Sequence, residues 1–260
     1  MLKITSAQNP RLKAAHKLKD RKERNQTGLF VIEGYREISR AQKIEIETIF
    51  ICPQLYLGSN ENALIQSRNA EIIELTPDLF KKLSFRDRPD GLFAIAKQPR
   101  STIDDLVLSA NPFLVVAEAI EKPGNLGSIL RSCDATGVDG CIVADRCTDI
   151  YNPNVVRASV GTLFTVPTIE MPGDELLAWL KKRGIAIVAT TPDTSLEYTH
   201  ANLKGPVAIA VGTEQLGLSQ QWLDQADIKV RIPMLGEADS LNVAAATTLM
   251  LYEVLRQRSL

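Results

Sequence analysis

Two five-residue runs without a polar side chain, Phe113-Leu-Val-Val-Ala117 and Val207-Ala-Ile-Ala-Val211, leave the second half of this chain few ways to fold. Such runs are far too short to cross a bilayer, which takes about 20 apolar residues in a helix. As strands they have no face suited to water, so both faces must be covered, as in a parallel sheet flanked by helices. The surrounding sequence supplies those helices. Helical patterns follow Gly124, start again near Asn154, run from Asp174 to Arg183 with Gly184 as a stop, and close the chain from Leu241 to Gln257. A short helix is expected at Gln220 to Gln225. Strands are expected at Cys141 to Ala144, through Val166-Pro167 to Ile169, at Ile185 to Thr190 and at Ile228 to Ile232. The resulting βα alternation predicts an α/β fold with a mostly parallel sheet, and ligands of such sheets bind beyond the carboxyl ends of the strands.

The first half reads as a smaller α/β unit. Strands are expected at Leu29 to Glu33, Ile46 to Cys52, Glu71 to Leu75 and Leu92 to Ala96. Helices are expected at Gly34 to Ala41, Asn60 to Arg68 and after Thr76-Pro77-Asp78. Lys97-Gln-Pro-Arg-Ser-Thr102 reads as a linker, giving domains at 1–98 and 107–260.

Net charge is −1, but it is unevenly placed. Within the first 24 residues, eight bases oppose only Asp20 and Glu23, so a cationic arm precedes an acidic body. Leu12, Ala15 and Leu18 give residues 10–24 the spacing of one short helix with a basic outer face carrying Arg11, Lys13, Lys17, Arg21, Lys22 and Arg24. Such a face suits phosphates, although a charge run is also what an ordinary solvated helix presents.

Several chemistries are excluded by what is missing. No G-x-G-x-x-G or G-x-x-x-x-G-K-[ST] cradle follows a strand, and neither H-E-x-x-H nor G-x-S-x-G occurs. The two histidines are His16 and His200, the latter in a polar loop. The four cysteines, Cys52, Cys133, Cys141 and Cys147, form no C-x-x-C pair. They read as buried thiols of a reducing compartment, and no metal site is expected. The opening MLKITSAQNPRLKAAHKLKD lacks an apolar signal core, so a cytoplasmic location is expected.

Chemistry-bearing residues cluster after three strands. Glu118-Ala-Ile-Glu-Lys-Pro-Gly-Asn-Leu-Gly-Ser-Ile-Leu-Arg131 begins a helix whose apolar stripe (Leu126, Ile129, Leu130, Cys133) leaves Asn125 and Arg131 free to face a site; Asn125 is also a good helix cap. Gly212-Thr-Glu214-Gln-Leu-Gly217 brings two glycines and an acid directly after an apolar strand. Ile232-Pro-Met-Leu-Gly-Glu-Ala-Asp-Ser240-Leu-Asn242 leads into the last helix, which Ser240 could cap. That helix is apolar nearly all round until Glu253, so it must be buried on more than one side, in a core or a subunit interface.

Taken in order, these three segments resemble the SpoU (TrmH-like) branch of the SPOUT RNA methyltransferases. Asn125-Leu-Gly-Ser-Ile-Leu-Arg131 with Gly137 is similar to the first family motif, Gly212-Thr-Glu214-Gln-Leu-Gly217 to the second, and Ile232-Pro-Met with Ser240-Leu-Asn242-Val to the third. Residues 152–164 are similar to the stretch between the first two. The resemblance covers residues 110–260 strongly, and residues 1–98 more loosely resemble an L30e-like substrate-binding domain. It implies a trefoil knot at the C-terminus, a homodimer formed through the C-terminal domain, and methyl transfer from S-adenosylmethionine to a ribose 2′-hydroxyl of RNA, with ribosomal RNA expected before transfer RNA. It also implies catalytic roles for Asn125, Arg131, Glu214, Ser240 and Asn242, and cofactor contacts at Thr190, Gly212, Ile232 and Leu241. The other readings are an RNA-binding protein of the same fold without catalysis and an unrelated α/β enzyme of small molecules.

Overall fold

The computed structural model describes residues 2–213 and 215–259. The chain divides into two compact units, residues 1–100 with 149–165, and residues 101–148 with 166–260. The segment 149–165, which the sequence placed inside the second domain, therefore groups with the first.

In the first unit, β1 (Leu2–Ile4), β2 (Leu29–Glu33), β3 (Ile46–Ile51), β4 (Glu71–Leu75) and β5 (Leu92–Lys97) form one sheet in the order β1-β4-β3-β5-β2. The first three strands in that order are parallel, whereas β5 runs antiparallel to both β3 and β2. Around the sheet lie α1 (Pro10–Lys17), α2 (Arg21–Thr27), α3 (Tyr35–Arg40), α4 (Glu61–Gln66) and α5 (Pro77–Leu83). Leu12, Ala15 and Leu18 join Ile73, Phe80 and Phe93 in its core.

Three expectations change here. Leu2–Ile4 is a strand paired with β4, which a three-residue run among charged residues did not signal. The single helix expected over residues 10–24 is two, divided at Leu18–Asp20. Arg24, counted with the cationic face, is buried at 1% exposure. Its Nε and Nη2 donate to Asp149 Oδ2 at 2.9 and 2.6 Å, and its Nη1 donates to the carbonyls of Leu18 and Lys19. A guanidinium with every contact inside the fold is not available to RNA, so Arg24 is a structural residue. The segment it grips carries the helix Pro153–Ala158, α7 in chain order, which packs on β2. Tyr151 and Phe164 flank Phe30 with ring centroids 4.7 and 6.0 Å away.

The second unit is built on β6 (Phe113–Glu118), β7 (Gly140–Ala144), β8 (Thr168–Met171), β9 (Ala186–Thr190), β10 (Val207–Val211) and β11 (Ile228–Val230). All neighbours are parallel, in the order β11-β9-β10-β6-β7-β8. Every residue of β6, β7 and β10 is buried, as their apolar runs require, and the buried set includes Glu118 at the end of β6. The helices are α6 (Pro123–Thr136), α8 (Gly173–Lys182), α9 (Gln220–Gln225) and α10 (Val243–Arg258). Leu176, Leu180 and the fully buried Trp222 pack on one face of the sheet. α10 packs on α6 and β10. Strand order reverses beside β6, so the loops after β6, β9, β10 and β11 converge at one end of the sheet.

Two capping expectations are corrected. Asn125 lies inside the first turn of α6, whose cap is Lys122, and Ser240 does not cap α10; Asn242 does, accepting from the Ala244 amide at 3.0 Å. Of the cysteines, Cys52, Cys133 and Cys141 are buried free thiols, while Cys147 is exposed. Among the described residues no helix is long and apolar enough to cross a membrane.

Candidate active site

A cavity of about 340 Å³ opens at the carboxyl end of the second unit's sheet. Its walls come from the segments around the ends of β9, β10 and β11: Thr190 and Asp193, then Gly212, Thr213 and Gln215 to Leu218, then Ile232, Met234 and Asp239 to Leu241. The floor is fixed by a close backbone approach. At Gly212 a Cβ would stand 2.2 Å from the Gly217 carbonyl carbon and 2.3 Å from the Leu218 nitrogen, so no other residue fits without moving the loop. The loop closes on itself through Thr213 N to Gly217 O (3.0 Å) and Gly217 N to Thr213 O (3.1 Å), with Gly217 at φ +70°. Glu118, buried at the end of β6, accepts from the Ser219 amide at 2.8 Å and pins the exit of that loop to the sheet.

Four sequence-predicted cofactor residues, Thr190, Gly212, Ile232 and Leu241, line this one cavity together with Ser240. Thr190 Oγ1 is sealed from solvent yet has no hydrogen-bond partner among the described residues. A buried hydroxyl left unpaired costs about 1–3 kcal/mol, an expense that a bound ligand or an ordered water would relieve.

The start of α6 meets the start of α10. Asn242 Nδ2 donates to Asn125 Oδ1 at 3.1 Å, while Asn242 Oδ1 caps α10, so both ends of one carboxamide are committed and its orientation is fixed. Further along, Ser132 and Thr248 share a 2.7 Å hydroxyl contact between the same helices. Arg131 sits on the exposed side of α6 with no hydrogen bond or ion pair among the described residues. Glu214, expected to join this network, lies outside the described residues.

Sequence reasoning missed Asp193 and Asp239, which bring carboxylates to the cavity wall, and the anchoring role of Glu118. Asp239 was visible one residue before Ser240; Asp193 had no motif to mark it. Of the cationic face, Lys13, Lys17, Arg21 and Lys22 are exposed, and Arg11 is exposed but ion-paired with Glu71. His16 and His200 are both exposed, and no cluster of metal-ligating side chains occurs among the described residues.

Parallel sheet, convergent loops and a glycine-floored cavity define a class of enzyme that binds its cofactor at the end of an α/β sheet. Residues 112–252 match the SpoU rRNA Methylase family and residues 9–94 the MRM3-like substrate binding domain. The chain belongs to the SpoU rRNA methylase family. It is 33% identical to the 23S rRNA (uridine(2479)-2′-O)-methyltransferase of Streptomyces viridochromogenes, over 93% of this chain and 87% of that protein. A crystal structure of an RNA 2′-O ribose methyltransferase superposes with a TM-score of 0.89 at 44% identity, covering 100% of both chains. The AdoMet-bound rRNA methyltransferase of Sinorhizobium meliloti superposes with a TM-score of 0.89 at 31% identity, covering 98% of this chain and 97% of that one.

Proposed function

We propose that this protein transfers the methyl group of S-adenosylmethionine to a ribose 2′-hydroxyl of ribosomal RNA, working as a cytoplasmic homodimer. The observation that carries the reading is the joining of two motif segments 117 residues apart, by the Asn242 to Asn125 hydrogen bond, in the unit that holds the glycine-floored cavity. The cofactor fits what lines that cavity. Apolar Leu218, Leu223, Ile232 and Val243 suit a purine, the Asp193 and Asp239 carboxylates suit hydroxyl and ammonium groups, and Thr190 Oγ1 has no partner among the described residues. Gly212 allows backbone groups to approach the ligand directly.

When bound, S-adenosylmethionine supplies an electrophilic methyl group on a sulfonium. The chain has to hold the ribose 2′-oxygen in line with that methyl and assist departure of the hydroxyl proton to solvent water. Positioning of this kind alone lowers a barrier by several kcal/mol. Arg131 is the cation for this work. Its guanidinium is a planar fork of hydrogen-bond donors with no acceptor, so its fitting role is to bind the adjoining phosphate and stabilise the developing alkoxide. Asn125, Ser240 and Asn242 orient the ribose and the cofactor, and Glu214 is assigned to the same network. The exposed Lys13, Lys17, Arg21 and Lys22, with Arg11, are assigned to RNA phosphates.

Dimerisation is read from α10, where Leu249, Tyr252 and Leu255 are 39%, 49% and 37% exposed while Met250, Leu251 and Val254 are buried. An apolar stripe left on the outside of an otherwise buried helix suits a second copy. The knot is read from the path of the C-terminal segment. After β11 at the sheet edge, Arg231 bonds to Leu196 and Tyr198 of the β9–β10 connection, and Gln257 reaches Ala201 and Leu203 of that same connection. True knots are rare, so this threading would be a distinguishing property of the fold. The catalytic reading is tested with Arg131→Ala. Methyl transfer should be lost while calorimetric binding of S-adenosylmethionine persists, and an active variant would remove Arg131 from the mechanism.

A further inference from the structure

The first unit contains a cleft of about 470 Å³ that none of the motifs above touches, with Tyr35, Arg36, Asn60, Glu61, Arg86 and Asp90 among its walls. Glu61 is the unusual member. Its residue is 3% exposed; Oε1 accepts the Leu57 and Gly58 amides at 3.2 and 2.7 Å, and Oε2 has no hydrogen-bond partner among the described residues. Leaving a carboxylate oxygen unpaired inside a fold costs more than leaving a neutral acceptor unpaired, so the site is short of a donor. The Tyr56 hydroxyl and Arg86 Nε are likewise buried without a partner among the described residues, and neither reaches Glu61 Oε2. Arg86 Nη2 is taken by the Glu33 carbonyl and by Glu37 Oε1 at 2.7 Å, and Asp90 already accepts from the Tyr35 amide at 2.8 Å. The Arg36 guanidinium, by contrast, is on an exposed residue and makes no hydrogen bond or ion pair among the described residues.

An aromatic wall, a carboxamide, a carboxylate that can only accept and a free guanidinium together suit a planar ring with N–H donors on one edge and a phosphate attached. RNA presents that chemistry wherever an unstacked base is splayed out, to be stacked on aromatic side chains and bonded along its edge. Guanine fits an acceptor-only partner best, because its N1–H and N2–H are adjacent donors. In uracil the single N3–H is flanked by two carbonyls, and adenine and cytosine set a ring acceptor beside their amino group. We propose that this cleft holds an extruded guanine of the RNA substrate, with Glu61 Oε2 accepting from its Watson–Crick edge and Arg36 on its phosphate. The inference rests on the reading of RNA as substrate and adds which nucleotide the first unit selects.

The test uses the full-length protein and anisotropy of labelled ten-nucleotide RNAs: all uridine, and the same strand with a central guanosine, adenosine or cytidine. Wild type should bind the guanosine strand at least tenfold tighter than the others. Glu61→Gln keeps an oxygen for the Leu57 and Gly58 amides but places an NH₂ donor where Oε2 was, so the guanosine preference should vanish with the thermal midpoint and S-adenosylmethionine affinity unchanged. Arg36→Ala, at an exposed position, should weaken all four strands alike and lower the salt slope by about one. Equal binding of all strands by wild type, a preference for another base, or an undiminished preference in Glu61→Gln overturns the guanine site while leaving RNA binding standing. No binding of any strand by wild type overturns the RNA reading and this inference with it.

Discussion

Arg24 and Asp149 are 125 positions apart in sequence and form an ion pair whose side chains are 1% and 5% exposed. Asp149 Oδ2 takes two guanidinium donors, and its Oδ1 accepts the Tyr151 amide at 2.8 Å. Removing one partner would strand the other charge inside the unit, a loss of about 3–5 kcal/mol. Arg24→Met should therefore lower the urea midpoint of the protein sharply, and the double substitution Arg24→Met with Asp149→Leu should recover much of it. A midpoint unchanged in the single variant would contradict a structural role for Arg24.

Gly212 makes the sharpest prediction about the cofactor cavity. In Gly212→Ala the new methyl meets the Gly217 backbone rather than a movable side chain, so the loop must shift and overpacking of about 1–3 kcal/mol follows. Calorimetry should show S-adenosylmethionine binding weakened at least tenfold in a protein whose circular dichroism is unchanged. Binding at wild-type affinity would mean that this loop does not form the cofactor floor.

The basic face of α1 and α2 predicts a salt effect without a base effect. Lys13→Gln, Lys17→Gln and Lys22→Gln together should reduce the slope of log K against log salt by roughly two to three, alike for all RNA sequences. An unchanged slope would show these lysines to be a solvated surface.

The strands of the second unit were legible because their signal is local: five consecutive apolar residues in β6 or β10 admit few other structures. Gly212 was legible for a similar reason, a glycine placed directly after a buried strand. The Asn125–Asn242 bond was not, since nothing in residues 123–136 states where residue 242 will lie; the resemblance joined the two segments, and only folding gave their geometry. Arg24 was misread because a charge run looks alike whether its members face water or a distant carboxylate. The start of α10 was misplaced because Ser240 and Asn242 are both good caps, and the sequence does not show that the Asn242 carboxamide also reaches α6. Glu61 gave no signal, since its isolation arises from what fails to surround it.

Alkali cleaves RNA wherever a 2′-hydroxyl is free, and a methylated ribose resists. Purified protein incubated with methyl-labelled S-adenosylmethionine and unmodified ribosomal or transfer RNA, followed by alkaline digestion, reads the proposed reaction directly. The label should appear in alkali-resistant dinucleotides from ribosomal RNA and be absent with Arg131→Ala. Label confined to alkali-sensitive nucleotides, or no label while the cofactor is bound, would contradict ribose 2′-O-methylation by this protein.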